Sequence, residues 1–276
     1  MIKLGSHISF TSPRYLVGAV EESLDNGANV MMIYLGAPQT TKRVDVERYN
    51  ISQYQLFYKD KIAPEDIIIH APYIVNPANP LKWEFSANFL VEEINRMNKI
   101  GAKYLVLHPG AYTTFDSEGA LNTLANSLKW ILNKTKDVVI CLETMSGKGT
   151  EIGITYEQIM YLINNVNSDR VAACLDTCHI WDAGYNIKNY DEFKTQLKAS
   201  GLLKHIKVIH LNDSKNDLNS HKDRHENVGV GFIGFETLQK VVYDKDFDNI
   251  PIILETPWVD NKPIYKEEIA RLLDKK

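Results

Sequence analysis

Short apolar runs rich in β-branched residues alternate along the chain with longer segments whose apolar positions recur every three to four residues. IKLGSHI (2–8) is followed by Leu16, Val17, Val20 and Leu24 on one helical face, with Ser12-Pro13 as an N-cap and first-turn pair and Gly27 as the stop. VMMIYL (30–35) precedes a segment carrying Val46, Ile51, Tyr54 and Phe57. DIIIHAP (66–72) precedes Phe89, Leu90, Ile94 and Met97, closed by Gly101, and KYLVLH (103–108) precedes Leu121, Leu124, Leu128 and Ile131. VVICLE (138–143) leads to Thr155-x-x-Gln158, the spacing of a capping box, with Ile159, Leu162, Ile163 and Val166 behind it. VAACLD (171–176), HIKVIHL (205–211) and PIILE (251–255), each with its own helical segment, bring the count to eight strand–helix units.

Eight such units, with strands apolar on both faces, predict a (β/α)8 TIM barrel rather than an open doubly wound sheet. No Gly-rich phosphate loop supports the open sheet, and no linker or low-complexity segment divides the chain, so residues 1–276 read as a single domain.

Composition changes the picture little. At 44% hydrophobic and 24% charged, this is an ordinary globular chain. It shows neither a secretory leader nor an apolar run of the roughly 18 residues that span a bilayer, so a cytoplasmic protein without membrane contact is expected. Cys141, Cys174 and Cys178 are odd in number and form no CxxC pair, and they read as reduced core thiols. A formal charge of −4 argues against nucleic-acid binding through bulk positive charge, but leaves room for a local positive site.

The strand ends carry the chemistry. Barrel sites form at the C-terminal mouth. Here six successive strands finish in His70, His108, Glu143, Asp176 with His179 just beyond, His210, and Glu255. A lone histidine at such a position reads as a core residue. Six endings in succession crowd carboxylates and imidazoles that must be paired, protonated or metal-bound, and the strands bring no lysine or arginine to the same level. Downstream of the seventh strand, HKDRHENVG (221–229) adds Asp223 and His225, two apart on an extended stretch. Imidazole and carboxylate without thiolate suit Zn²⁺, Mn²⁺ or Fe²⁺, and nine donors exceed what one tetrahedral ion takes. Two or three ions with open positions are expected, which is the coordination of a catalytic site.

GSHIS, HAPY, HPG, LETMSGKGTEIG, LDTCHIWDAGY, HLNDSK, DRHENVG and LETPW run through nearly the whole chain, and with them the sequence resembles the endonuclease IV family of abasic-site endonucleases. The resemblance implies a trinuclear zinc centre in which His70, His108 and Glu143 hold a first ion. Glu143 would bridge to a second, completed by Asp176, His210 and Glu255, while His179, Asp223 and His225 would hold a third, with Mn²⁺ or Fe²⁺ as alternatives at some sites. It also implies base-excision repair: hydrolysis of the phosphodiester 5′ to an abasic site in double-stranded DNA, leaving a 3′-hydroxyl and a 5′-deoxyribose phosphate, together with removal of 3′-blocking groups, by a monomer. Glu255, and secondarily Glu143, would position and deprotonate the attacking water.

Three Zn²⁺ would turn the formal −4 into about +2, concentrated at the mouth, and Lys42, Arg43, Lys148, Lys215, Lys222 and Arg224 could extend that field along a DNA backbone. A missing base lowers the cost of flipping the nucleotide out. By family analogy Tyr73 and Arg224 contact the bent DNA and Gln39 enters the gap. Trp181 and Trp258 lie near the mouth as packing residues or as lining for the sugar. His7 reads as structural, beside the site; His205 belongs to the opposite rim and His221 to the loop surface. Two rivals stay open. A sugar isomerase or epimerase on the same barrel would use Glu143, Asp176, His210 and Glu255 around one Mn²⁺ or Co²⁺, leaving the other five donors idle. A noncatalytic metal-dependent DNA-binding protein would instead close its coordination.

Overall fold

The computed structural model of the protein describes residues 1–274, so the last two positions of the expected 1–276 domain lie outside it. Eight parallel strands close into a ring: β1 (Lys3–His7), β2 (Val30–Ile33), β3 (Ile67–His70), β4 (Tyr104–Leu107), β5 (Val139–Glu143), β6 (Val171–Asp176), β7 (Ile206–His210) and β10 (Pro251–Leu254). Each pairs with its sequence neighbour in the barrel, and β1 meets β10 in the register Lys3↔Pro251 to Ser6↔Leu254. An antiparallel hairpin, β8 (Asp213–Ser214) and β9 (His225–Glu226), interrupts the series between β7 and β10. The expected (β/α)8 barrel is therefore the fold. Among the described residues no helix is long and apolar enough to cross a membrane.

The helices α1 (Tyr15–Asp25), α2 (Ile51–Phe57), α3 (Trp83–Ile100), α4 (Ser117–Lys134), α5 (Tyr156–Val166), α6 (Thr177–Asp182), α7 (Tyr190–Ala199), α8 (Phe235–Tyr243) and α9 (Tyr265–Leu273) follow the strands. Their buried stripes, for instance Leu90, Ile94 and Met97 on α3, seal against the outward strand residues in one large cluster. Each fully buried Leu or Ile there contributes roughly 1.5–3 kcal/mol over exposure.

A second, smaller cluster fills the barrel itself: Val30, Met32, Ile68, Val106, Cys141, Ala172, Cys174, Val208 and Ile253. Gly5 completes this interior without a side chain, because a Cβ there would lie 1.8 Å from the Val30 carbonyl oxygen. Side chains along a strand repeat their direction every second residue. Two positions beyond Ile68, Val106, Cys141, Cys174, Val208 and Ile253 stand His70, His108, Glu143, Asp176, His210 and Glu255. The polar mouth is thus the next layer of the apolar interior.

Three local expectations need correction. The Ser12–Pro13 bond is cis and α1 begins at Tyr15 with Arg14 at its cap, so this pair does not start the helix. The second helical segment breaks at Asn50 (φ 63°) into a 3-10 turn over Val46–Tyr49 and the short α2, whose Phe57 is exposed rather than packed. The capping box at α5 is half-formed. The Gln158 amide N–H donates to Thr155 Oγ1, but Gln158 Oε1 accepts from Gly153 and Ile154, tying down the loop behind β5 instead.

Candidate metal centre

Glu143, 1% exposed, is the hub of the mouth. Its Oε2 lies 3.2 Å from His70 Nε2 and 3.2 Å from His108 Nε2, and its Oε1 lies 3.0 Å from His210 Nδ1 and 3.3 Å from His179 Nδ1. His210 Nδ1 is also 3.0 Å from Glu255 Oε2. His179 Nε2 is 3.0 Å from Asp223 Oδ1, while His225 Nε2 lies 3.7 Å from both Asp223 Oδ1 and Asp176 Oδ2. All nine side chains singled out from the sequence therefore stand in one connected cluster.

Backbone carbonyls orient three of the imidazoles. His70 Nδ1 donates to the Ala71 carbonyl at 2.7 Å, His179 Nδ1 to that of Thr144 at 3.0 Å and His225 Nδ1 to that of Glu255 at 3.2 Å. A carbonyl accepts only, so each ring presents Nε2 to the cluster, the arrangement by which an outer partner fixes a ligand's tautomer.

Burial alone would raise the Glu143 carboxyl, but His210 and His108 outweigh it and hold it well below the usual carboxylate range. Burial is likewise overcome at Glu255, by His210 and His7, and that carboxyl also stays well below its ordinary value. Asp176 goes the other way, raised because desolvation exceeds the help of His179 and His225. His179 is driven well above the ordinary imidazole value against its burial, by Asp176 and Asp223, and His210 likewise by Cys174, Glu255 and Glu143.

The arrangement fits divalent cations. Donors about 2.1 Å from one tetrahedral ion lie roughly 3.4 Å apart, and the imidazole–carboxylate spacings described here run from 3.0 to 3.9 Å. Four compact donor groups occur: His70, His108 and Glu143; His70, His210 and Glu255; Glu143, Asp176, His210 and Glu255; and Asp176, His179 and His225. Moreover, His225 Nε2 is buried without a hydrogen-bond partner, held too far from either carboxylate to bond it directly. A cation between them would satisfy all three.

The third group differs from the sequence expectation. Asp176 joins His179 and His225, whereas Asp223 touches them pairwise from the rim. Asp176 also caps α6 by accepting from the His179 amide at 2.8 Å, and Asn212 Nδ2 donates to its other oxygen at 2.8 Å. Asn212, buried in HLND, was not singled out from the sequence, although its place two beyond a ligand histidine was the available signal. Its Oδ1 in turn accepts from the Glu255 amide, linking β6, β7 and β10.

Around the rim, Tyr73 (52% exposed), Gln39 and Arg224 face solvent. Arg43 does not behave as a free loop cation: its guanidinium donates to both Glu93 oxygens at 3.0 Å, stacks over Phe89, and is buried. Lys148 stands 3.7 Å from Asp223 Oδ2. Trp181 is core, its Nε1 donating to the Asn216 carbonyl, while Trp258 is exposed. With His7, Tyr34 and the 36–38 turn, Trp258 lines a cavity of about 360 Å³ beside Glu255. His7 Nδ1 lies 3.7 Å from Glu255 Oε1. His205 sits at the opposite rim before β7, and His221 is exposed, with Nδ1 on the Ser146 carbonyl.

Comparison with known proteins bears on this geometry. Residues 20–275 match the family model described as xylose isomerase-like TIM barrel. A probable endonuclease 4 of Mycoplasmopsis synoviae (strain 53) is 69% identical over 276 residues, 100% of both chains. The chain belongs to the endonuclease IV family. A second relative, probable endonuclease 4 of Mycoplasmopsis agalactiae, is 65% identical over 100% of this chain and 99% of its own length. The solved endonuclease IV of Thermus thermophilus superposes with a TM-score of 0.85 at 26% identity, covering 98% of this chain and 97% of that one. A D-tagatose 3-epimerase-like protein superposes at 0.71 with 19% identity, covering 99% of this chain and 96% of its own, a likeness of fold alone. For an endonuclease IV family member, a barrel mouth dense in histidine and carboxylate is the place to look for divalent-metal chemistry.

Proposed function

We propose that this endonuclease IV family member is a zinc-dependent abasic-site endonuclease that hydrolyses the phosphodiester 5′ to the lesion, leaving a 3′-hydroxyl and a 5′-deoxyribose phosphate. The observation that carries the reading is the joining of donor groups through Glu143 and Asp176, each of which belongs to two of them. Shared carboxylates suit a multinuclear centre, and the full-length relatives named endonuclease 4 favour a nuclease. His70, His108 and Glu143 would hold one ion, Glu143, Asp176, His210 and Glu255 a second, and His179, Asp223 and His225 a third with help from Asp176. When bound, such ions lower the pKa of water and meet the negative charge that develops on a phosphodiester.

The chain's own residues then divide the remaining work. Glu255 lies at the open side of the centre, where its carboxylate, kept ionised by His210, can accept the proton of an attacking water. Glu143, buried among His70, His108, His179 and His210, serves to fix the spacing between donors. Tyr73, Arg224 and Gln39, exposed on three loops, are placed to meet the DNA. Removal of 3′-blocking groups would use the same centre, since the bond cut is again a phosphodiester or phosphomonoester on a 3′-oxygen.

The sugar epimerase alternative accounts for Glu143, Asp176, His210 and Glu255 but gives no task to His70, His108, His179, Asp223 and His225. The deciding experiment incubates zinc-loaded protein with a duplex carrying one tetrahydrofuran analogue, which cannot undergo β-elimination. Incision on its 5′ side to leave a 3′-hydroxyl is expected; no incision by fully metallated protein overturns the reading.

A further inference from the structure

Three residues of α6 and its cap recur at intervals of three: Asp176, His179 and Asp182. The first two belong to the centre; Asp182, fully buried, does not touch it. Its Oδ1 accepts from Ser214 Oγ at 2.7 Å and its Oδ2 accepts from the Asp223 amide at 2.9 Å. Ser214 is the residue that pairs with His225 across the β8–β9 hairpin. One carboxylate thus grips both arms of the hairpin that presents Asp223 and His225, while its own helix presents His179.

The loop it grips does not hold its shape unaided. Asn219, His221 and Asp223 all have left-handed backbones, with φ of 66°, 54° and 54°. Non-glycine residues stay there only where the surroundings over-determine them. The surroundings are the end of α6: the amide of Asn219 donates to the Trp181 carbonyl, that of His221 to the Asp182 carbonyl, and that of Asp223 to the Asp182 side chain. Without the last bond, the Asp223 backbone is free to relax and its carboxylate to turn from His179.

We infer that Asp182 is the positioning residue of the third metal site, holding His179, Asp223 and His225 in one constellation without touching the ion. The inference rests on the reading that these three bind a metal. Asn at this position keeps an acceptor for the Asp223 amide and can donate to Ser214 Oγ, whereas Ala keeps neither.

The test compares full-length wild type, Asp182→Ala, Asp182→Asn and Asp223→Ala. Each is loaded with excess zinc and desalted, its zinc is counted by mass spectrometry, and its least tightly held zinc is titrated with a chelating dye. Wild type and Asp182→Asn should carry three zinc ions. Asp182→Ala should carry two, with the third bound at least about 10-fold more weakly, the scale on which outer partners of metal ligands act, and with the circular dichroism of the barrel kept. Wild-type zinc affinity in Asp182→Ala overturns the inference, as does loss of all three ions together with the fold, which would give Asp182 a role in folding only. Three tightly held ions in Asp223→Ala, or only two in wild type, would instead sink the reading of the third site and the inference with it.

Discussion

His225 Nε2 stands 3.7 Å from Asp176 Oδ2, joining the hairpin beyond β7 to the end of β6 although neither atom hydrogen-bonds the other. On the proposed assignment a cation occupies that gap. Replacing His225 with Ala should cost one zinc ion per chain, leaving the ions near Glu143 in place, and should slow incision of abasic DNA by roughly 100-fold, as when one preorganised electrostatic contact is lost. Zinc counting alongside single-turnover incision checks both halves of the expectation; a variant with full zinc and full rate refutes it.

Glu255→Gln keeps the shape of the side chain and removes its basicity. Incision should fall by about 10²–10⁴-fold, the range for loss of a general base, while binding to the tetrahydrofuran duplex stays within a few-fold by fluorescence anisotropy. A fully active variant takes Glu255 out of the mechanism.

On the proposed assignment zinc and protons would compete for the same nitrogens. His179 and His210 are raised well above the ordinary imidazole value by the carboxylates around them. The stability they contribute by holding protons is fully present below about pH 6.5 and is lost as pH rises through their higher folded values. Zinc bound there would have to displace those protons, so its apparent affinity should climb with pH. The difference in melting temperature between zinc-loaded and chelator-stripped protein should widen from pH 6 to pH 9, and calorimetry in buffers of different ionisation enthalpy should find net proton release on zinc binding near pH 7. A difference that narrows with pH contradicts this account.

Arg43 and Glu93 form a pair buried away from the site, with side chains 2% and 0% exposed. Desolvation raises the Glu93 carboxyl, opposed first by Arg43 and also by Arg96, whose Nη1 lies 3.6 Å from Glu93 Oε1. Arg43→Met leaves that carboxylate only the longer contact with Arg96, which should destabilise the protein by about 3 kcal/mol and lower Tm by roughly 6–12 °C. The double replacement Arg43→Met with Glu93→Leu should recover most of the loss while abasic-site incision is unchanged.

That pair also marks where reading the sequence stops. Strand ends were legible because a side-chain repeat of two carries the inward direction from Val106 or Ile253 straight to His108 or Glu255. No such repeat tells that Arg43, in a loop between two polar stretches, turns inward to a glutamate 50 positions later on α3. Asp182 and Asn212 escaped for a related reason: their partners, Ser214 Oγ and the Asp223 amide for the one and Asp176 Oδ2 and the Glu255 amide for the other, lie on elements distant in sequence, and such contacts leave no imprint on residue type. The spacing of three from Asp176 through His179 to Asp182 was visible, but only the folded chain gives the last carboxylate something to hold. Phe57 failed in the opposite direction, since an apolar residue at helical spacing still depends on the helix continuing past Asn50.

The nine side chains of the mouth are also graded in depth. Glu143 and His70 lie on the barrel floor, 1% and 2% exposed, while the Asp223 and His225 side chains at the rim are 24% and 20% exposed. His108 is as open as the hairpin, its side chain 28% exposed, so a chelator or a foreign metal arriving from solvent meets the hairpin and His108 first and Glu143 last. On the proposed assignment wear would begin at that edge: zinc starvation or metal exchange would dim the centre by stages, reaching last whatever Glu143 and His70 hold.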